Sequence, residues 1–344
     1  MTWSGDEWLE GLYRQAVDRH ADKSAAETLE ERQARLRDTL RGLIGQFKPN
    51  SDHTPRLLER VECDGYVRER VELSATPGLT FPAYVLIPNG ASGPLPGTLA
   101  LHGHGYGSRE IVGLKPDGAT DEGSPGCHAH FAIQLVKRGL VVIAPDVMGY
   151  GERRLRSDLE QDGNAPNSCY TLSTHLMMLG KTLTGLRVAE AWTALSYLQG
   201  RPEVEDDQIG AMGFSGGALI AHAAAALDER IRAVVLSGFT NTFKDSILAM
   251  RHCVDNYTPG LLRHAELPEL IGLIAPRPLF LESGQGDRLF PVHGFRQAAS
   301  CIEEIYAAYG APDKLGVDIV PGGHEVNGRM AYDWLKSTLS QASQ

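Results

Sequence analysis

One stretch of the chain, from Asp207 to Asp228, constrains the fold more than any other. It begins with a short continuous apolar run, Gln208–Phe214, which is typical of a strand buried on both faces of a parallel sheet. It ends with an Ala-rich segment, Ala218–Leu227, whose composition favours a helix. Between the two lies Gly-Phe-Ser-Gly-Gly, residues 213–217. The stretch therefore predicts a strand, a sharp turn and a helix in direct succession.

The turn has a G-x-S-x-G spacing centred on Ser215, and this spacing has a steric reason. A serine on a sharp strand-to-helix turn has a strained backbone, and side chains two residues away on either side would crowd it. Glycine at positions 213 and 217 removes those side chains. The turn lifts the Ser215 hydroxyl above the sheet, where the amide of Gly216 and the helix dipole can face a developing oxyanion. The motif predicts a nucleophilic serine with Gly216 as one oxyanion donor.

A nucleophilic serine needs a base that takes its proton and a third group that orients the base. A predicted strand at 278–282 leads into a Gly-rich loop that contains Asp287, and a later one at 315–319 leads into the Pro-Gly-Gly-His-Glu loop of His324. Because the carboxyl ends of parallel strands meet at one edge of a sheet, both loops should reach Ser215. We therefore predict His324 as the base and Asp287 as the orienting acid.

Two other carboxylates are rivals for the orienting role. Glu282 lies inside the predicted strand, so it should be less free to reach a histidine. Asp146 precedes the nucleophile in what reads as a structural turn. Asp287 is the better candidate because it lies just beyond a strand end.

The second oxyanion donor should come from the loop that follows the predicted strand 97–101, which reads His-Gly-His-Gly-Tyr-Gly over residues 102–107. A glycine-dense loop lets backbone amides approach a substrate carbonyl oxygen. We expect the amide of His104 to be this donor, with the amide of Gly105 as the alternative.

The histidines near this loop also allow a metal-binding interpretation. Four imidazoles could serve as ligands: His102, His104, His128 and His130. No acid or thiolate accompanies them at a familiar spacing, so we expect neither a metal nor another cofactor.

Around these motifs the chain alternates short apolar strands with helical stretches, which predicts a mostly parallel sheet with helices on both faces. The predicted strands are 97–101, 140–144, 208–213, 233–237, 278–282 and 315–319. The predicted helices include 127–138, 183–199, 216–227, 294–309 and 326–339. From Val61 the hydrophobic period changes to two, and the alternation over 66–73 and 81–87 predicts an antiparallel hairpin at a sheet edge.

The first 50 residues predict a helical extension that precedes a catalytic domain over 51–344. An apolar stripe at helical spacing indicates one helix, and Leu29, Leu36, Leu40, Leu43 and Ile44 indicate a second. The stripe of the first helix consists of Trp8, Leu9, Leu12, Tyr13 and Val17. The extension either caps the core or forms a homodimer contact, and the sequence does not choose between these.

Two segments, 152–181 and 241–268, interrupt the strand–helix alternation. Both follow the carboxyl ends of strands, where open α/β sheets bind ligands. They predict short insertions that form the substrate pocket. The predicted pocket residues are Tyr106, Tyr170, Leu176 and Met177. For the Leu/Met run an ordinary buried helix turn is an equally good interpretation.

The bulk composition limits the partners. A formal net charge of -10 with no Lys/Arg cluster disfavours nucleic acid. The five cysteines are scattered without a C-x-x-C pair, so we expect reduced thiols in a cytoplasmic protein rather than a disulfide framework or a zinc knuckle. No signal-peptide pattern and no apolar run of transmembrane length is visible, so we expect no membrane partner.

With these motifs in place, the chain resembles α/β-hydrolases of the dienelactone hydrolase and acetyl xylan esterase-like group, over roughly Leu57 to Leu339. The order serine, aspartate, histidine along the chain is that of the α/β-hydrolase fold. The resemblance implies that the turn of Asp146, Gly149 and Gly151 shapes the floor of the site without a catalytic role. The motifs that carry it are LHGHGYG, APDVMGYGERR, GFSGG, IAPRPLFLESGQGDRLFPV and PGGHE.

The resemblance implies a serine hydrolase that cleaves carboxylic esters through an acyl-enzyme, with a small-to-medium, acetyl-type acyl group and a small-molecule ester as its partner. Dienelactone hydrolases proper use a cysteine nucleophile, whereas this chain has Ser215, which favours ordinary ester hydrolysis. Three alternatives remain: an amidase or peptidase with the same triad, a lyase, and a non-catalytic binding protein on the same fold.

Overall fold

Nine strands form a single sheet in the computed structural model, which describes residues 3–341. The strands are β1 Arg56–Cys63, β2 Tyr66–Thr76, β3 Leu79–Pro88, β4 Leu95–Leu101, β5 Val141–Pro145, β6 Val204–Phe214, β7 Ile231–Ser237, β8 Leu279–Gly284 and β9 Leu315–Val320. Their order across the sheet is β1-β2-β3-β5-β4-β6-β7-β8-β9. The pairs that involve β1, β2 or β3 are antiparallel, and all pairs from β5 to β9 are parallel. The predicted mostly parallel sheet is confirmed.

Helices cover both faces of this sheet, as the strand–helix alternation predicts. The helices are α1 Asp6–Ala25, α2 Leu29–Ile44, α3 Phe131–Val136, α4 Arg156–Gln161, α5 Cys169–Met178, α6 Leu183–Gln199, α7 Gly216–Leu227, α8 Leu267–Ile271, α9 Val292–Ala308 and α10 Ala331–Gln341. Successive residues of β5 alternate between two separate cores, with Val141 and Ile143 in one and Val142 and Ala144 in the other. No helix among residues 3–341 is both long and apolar enough to span a membrane.

The second N-terminal helix, α2, packs onto the main core. A capping box of Thr28 and Glu31 defines its start. Its Leu36, Leu40 and Ile44 are buried in the same core as one face of the sheet. This helix therefore caps the core, which is one of the two roles that the sequence left open.

The first N-terminal helix, α1, buries much less of its apolar stripe. Trp8 and Leu9 are 66% and 58% exposed. Tyr13 of the same helix does contact the rest of the protein, because its hydroxyl donates to Glu266 of the 241–268 segment over 3.1 Å. The homodimer contact and the division at residue 50 both stay predictions.

One strand escapes the sequence prediction, which places the first period-two pattern at Val61. β1 begins five residues earlier, at Arg56, and pairs with the outer side of β2, so the predicted hairpin of β2 and β3 is not the edge of the sheet. All residues over 56–60 are exposed. A strand with solvent on both faces carries no hydrophobic alternation, which is why the pattern does not reveal it.

Two helices begin later than predicted. α3 starts at Phe131 instead of Cys127, since Ala129 and His130 have φ of 51° and 45°, outside the range of a right-handed helix. α10 starts at Ala331 instead of Val326, because the amides of Asn327 and Gly328 donate to the buried carboxylate of Glu282 and hold the chain in a loop.

The strand order places the topological switch point at the centre of the sheet. β4 lies between β5 and β6. The chain therefore runs from β4 to β5 on one side of β4, and from β5 it crosses to β6 on the opposite side of β4. Such a switch point is where open α/β sheets bind ligands. Leu101 is in register with Gly213, so the loop after β4 begins beside the turn after β6.

Candidate active site

The turn after β6 has the strained conformation that its sequence predicts. Ser215 separates β6 from α7 and has φ 53° and ψ -122°. A positive φ is unfavourable for a residue with a Cβ and is held here by its surroundings. The Ser215 amide donates to the carbonyl of Ser237 on β7 over 2.9 Å, and its carbonyl accepts from Ala218 in α7.

Close backbone packing explains the two flanking glycines. A Cβ on Gly213 would lie 2.4 Å from the carbonyl oxygen of Gly217. A Cβ on Gly217 would lie 1.9 Å from the carbonyl oxygen of Leu101 at the end of β4. Both contacts are with backbone, which cannot move aside as a side chain can. The G-x-S-x-G spacing is thus a packing requirement of this turn.

Gly217→Ala is therefore expected to destabilise the protein by about 3 kcal/mol or more, because the methyl group meets the backbone of β4. Gly216→Ala is the matched control: its Cβ would meet only the His104 ring, at 3.5 Å, and should change the free energy of unfolding by less than about 1 kcal/mol. Urea unfolding of both variants measures the difference. Equal stabilities would contradict the packing explanation.

The structure brings Ser215, His324 and Asp287 together in one hydrogen-bonded chain. His324 Nε2 lies 2.9 Å from Ser215 Oγ, and His324 Nδ1 lies 2.8 Å from Asp287 Oδ2. The three residues follow β6, β9 and β8, all at the carboxyl edge of the sheet. This geometry has the hydroxyl donating to Nε2 and Nδ1–H donating to the carboxylate.

Neighbouring groups fix the histidine and the acid. The His324 ring lies between Phe214 and Phe290, with ring centroids 4.8 and 5.8 Å away. The second carboxylate oxygen of Asp287, Oδ1, accepts from the amides of Leu289 and Phe290 over 2.8 and 3.0 Å. The Asp287 side chain is fully buried, so its orientation is set by these hydrogen bonds.

The two rival carboxylates have other partners. Glu282 accepts from the Ser237 hydroxyl and from two amides of the loop after His324, and its burial raises the pKa of the carboxyl. Asp146 accepts from the amide and the hydroxyl of Ser108, and burial raises its pKa to about 6. Both hold loops, and neither has a hydrogen bond to His324 among those of residues 3–341.

The loop after β4 packs directly on the serine turn. A Cβ on Gly103 would lie 2.8 Å from the carbonyl oxygen of Phe214 and 3.0 Å from Ser215 Cβ. The His104 ring lies over Gly216. Among the described residues, no hydrogen bond engages the amides of His104 and Gly216, so both are available to a ligand.

Two buried histidines hold this loop, a role that the sequence prediction missed. His128 Nε2 accepts from the Gly103 amide over 3.1 Å, and its Nδ1 lies 2.9 Å from Glu110 Oε1. His102 Nδ1 donates to the Gly103 carbonyl, and its Nε2 accepts from the Val147 amide. Burial lowers the pKa of His102 to about 3, so it is neutral. Nothing in the local sequence distinguishes these support roles from ligand roles.

The four histidines considered together as metal ligands do not share a site. His102 and His128 are occupied by the loop, and His130 pairs with Asp121 over 3.3 Å. His104 lies apart from them, over Gly216, and it is exposed to solvent. The surrounding protein still desolvates its ring and thereby lowers its pKa.

The predicted pocket residues lie in different surroundings. The Tyr106 hydroxyl donates to the Leu114 carbonyl, and its amide donates to Glu110. Tyr170 is 72% exposed on the first turn of α5. Leu176 packs against the main core and Met177 is half-buried, but Met178 is 87% exposed, so the Leu/Met run is not a buried helix turn. Their role as pocket walls stays a prediction.

A buried charged cluster next to His104 has no counterpart in the sequence prediction. Arg187 of α6 donates to Asp255 over 2.6 Å and to Cys169 Sγ over 3.2 Å. Burial alone would raise the pKa of Asp255, but the Arg187 guanidinium, the His104 ring and hydrogen bonds to the carboxylate together outweigh it and lower the pKa to about 2. The Tyr150 hydroxyl also donates to Asp255, and its ring packs edge-on against His104 at 5.1 Å. These residues are far apart in sequence, so no local pattern joins them.

His252 is a further residue near the triad that the sequence did not single out. Its ring packs against Phe290 at 5.4 Å, on the ring that also contacts His324. Its Nε2 is buried without a hydrogen-bond partner among the described residues. The sequence pointed to His252 only through its position in the 241–268 segment, which was predicted to form part of the substrate pocket.

The fold and the geometry of the serine turn define a protein of the α/β-hydrolase class. The sequence model of the Abhydrolase family matches residues 16–318, and the chain belongs to this family. It is 31% identical over 303 residues to "Putative hydrolase YtaP" of Bacillus subtilis (strain 168), a match that covers 85% of this chain and 93% of that protein. The predicted fold and family resemblance are confirmed.

Solved structures share the fold at lower sequence identity. One, described as "a putative acetyl xylan esterase" from Bacteroides fragilis NCTC 9343, superposes with a TM-score of 0.75 at 20% identity, over 93% of this chain and 83% of that one. A glucuronoyl esterase from Solibacter usitatus superposes with a TM-score of 0.64 at 16% identity, over 94% of this chain and 93% of that one.

Proposed function

We propose that this protein is a serine esterase that cleaves carboxylic esters through an acyl-enzyme intermediate. The observation that carries the proposal is the hydrogen-bonded chain Asp287–His324–Ser215, with distances of 2.8 and 2.9 Å. A serine on a strained turn, a histidine within reach of its hydroxyl and a buried carboxylate behind the histidine are the three parts of nucleophilic acyl transfer.

In the proposed first step, His324 Nε2 takes the proton of Ser215 as Oγ attacks the ester carbonyl carbon. The amides of Gly216 and His104 stabilise the oxyanion of the tetrahedral intermediate. Asp287 keeps the His324 proton on Nδ1 and stabilises the imidazolium. His324 then protonates the leaving alkoxide, and the acyl group remains on Ser215.

In the second step a water molecule takes the place of the alcohol. His324 removes a proton from the water as it attacks the acyl-enzyme, and the same two amides stabilise the second oxyanion. Collapse releases the carboxylic acid and returns the proton to Ser215. The cycle needs no cofactor.

An ester is the favoured substrate over an amide, and a small-to-medium, acetyl-type acyl group is the favoured size. The esterase names of the structures with the same fold support the first preference. Ser215 in place of a cysteine nucleophile also suits ordinary ester hydrolysis. The acyl size rests on the resemblance to acetyl xylan esterases.

We expect nitrophenyl acetate and butyrate to be hydrolysed faster than the laurate ester, and each ester faster than its matched anilide. Acetylated xylo-oligosaccharides extend the panel to a sugar alcohol. Faster anilide cleavage would make the protein an amidase.

Reaction in ¹⁸O-labelled water distinguishes hydrolysis from lyase chemistry. Hydrolysis should place one ¹⁸O label in the acid product, and an unlabelled product would indicate a lyase.

A further inference from the structure

Four side chains of types that can bind a metal ion lie close together beside the serine turn, outside the proposed triad. They are His104 in the loop after β4, Cys169 at the start of α5, and Cys253 and Asp255 in the 241–268 segment. One ligand atom of each lies within 4.8 Å of those of the other three. The sequence offered no thiolate or acid near the histidines at a familiar spacing, but the fold supplies both from distant segments.

We propose that His104, Cys169, Cys253 and Asp255 form a binding site for one thiophilic divalent cation, of which Zn²⁺ is the natural candidate. Two sulfur ligands, one imidazole nitrogen and one carboxylate oxygen make a tetrahedral set of the kind that zinc prefers. Hard cations such as Mg²⁺ and Ca²⁺ prefer all-oxygen sites and should bind much more weakly.

Charge balance supports this assignment. Arg187 and Asp255 already form a buried ion pair, so the cluster with two neutral thiols has no net charge. When a divalent ion binds, both thiols lose their protons, and the two thiolates balance the two positive charges. The cluster is therefore neutral with and without the ion, which avoids an uncompensated charge in the interior.

Outer-shell contacts are also in place. The Arg187 guanidinium donates to Cys169 Sγ over 3.2 Å, and Tyr150 and Asn256 donate to the two oxygens of Asp255. Such hydrogen bonds orient ligands and tune metal sites. Cys169 and Asp255 are buried while His104 is exposed, so an ion can enter from solvent on the His104 side.

A second group, Glu110, Cys127 and His128, also has metal-binding side chains within reach of one another. It fits an ion less well, because His128 Nε2 already accepts from the Gly103 amide and its Nδ1 faces Glu110. An ion there would have to break the hydrogen bond that holds the loop. This group provides the rival location for the test.

The test is titration of the chelator-treated 344-residue chain with Co²⁺, followed by displacement with Zn²⁺. We expect one Co²⁺ per chain, a sulfur-to-cobalt charge-transfer band, and the visible absorption of a tetrahedral centre that Zn²⁺ removes. Zn²⁺ should also raise the melting temperature, because the ion joins the loop after β4 to two other segments.

Cys169→Ser and Cys253→Ser should each weaken binding by more than the roughly 10–100-fold that loss of an outer-shell partner costs. Cys127→Ser and Cys301→Ser are the controls and should bind as the unaltered protein does. A melting temperature measured without metal shows that each variant is folded.

Three outcomes would overturn the proposal. One is that the unaltered protein takes up no stoichiometric Co²⁺ or Zn²⁺. Another is that the Cys169→Ser/Cys253→Ser double variant still binds, and the third is that Cys127→Ser removes binding. None of these readouts depends on esterase activity, so the proposed function can fail without affecting this one.

Discussion

Ser215→Ala is expected to lower kcat for ester hydrolysis by on the order of 10⁴-fold or more, because the attacking atom is lost. The effect should fall on kcat, since the removed hydroxyl bonds to the acyl carbon only after binding. Alanine has a Cβ like serine, so the strained turn at φ 53° stays as it is and the fold should persist. Steady-state kinetics with nitrophenyl acetate measure the loss of kcat, and the melting temperature of the variant shows whether the fold persists.

A fluorophosphonate probe provides an independent check of the same residue. Peptide mapping should find the label on Ser215 of the unaltered protein and no label on Ser215→Ala. Full activity in the variant, or a label on another serine, would refute the assignment. A protein that is folded but takes up no label would be a non-catalytic binding protein on this fold, whereas a lyase is identified by the experiment in ¹⁸O-labelled water.

The sequence predicted those parts of the site in which the local backbone structure determines the residue type or its position. The serine turn is readable because close backbone approach at Gly213 and Gly217 admits only glycine. Asp287 and His324 are readable because they follow buried strands, and parallel strands end at one edge of the sheet. The roles of these residues remain proposals, but their meeting follows from topology.

The parts that escaped prediction arise from contacts across the fold. Arg187, Asp255 and Cys169 meet from three separate segments, and each alone resembles any polar residue of a helix or loop. His128 supports the loop after β4 only because the fold places it behind Gly103. Periodicity reports how a segment faces the core, but not which buried polar groups pair.

The edges of the molecule were hard to predict for a different reason. β1 lies at the sheet edge with its first residues exposed, so it has no hydrophobic alternation. α1 has an apolar stripe, yet Trp8 and Leu9 remain in solvent. A stripe predicts that a helix face will be covered, but not whether this chain or another covers it.

Asp287→Asn is expected to lower kcat by about 10⁴-fold with the fold retained. Oδ1 of Asp287 accepts from the amides of Leu289 and Phe290, so an asparagine must place its own oxygen there. Its NH₂ group then faces His324 Nδ1 and donates to it. The imidazole proton therefore moves to Nε2, which can no longer accept the proton of Ser215.

Glu282→Gln is the matched control, because it makes the same change at a buried acid of the same strand-and-loop segment. Its partners are the Ser237 hydroxyl and the amides of Asn327 and Gly328, so we expect lower stability and a fall in kcat at least about 100-fold smaller than for Asp287→Asn. Steady-state kinetics and urea unfolding of both variants separate the two effects. If Glu282→Gln proved the more damaging to kcat, the orienting acid would be Glu282; Ser215 and His324 would keep their proposed roles, since their contact does not involve either carboxylate.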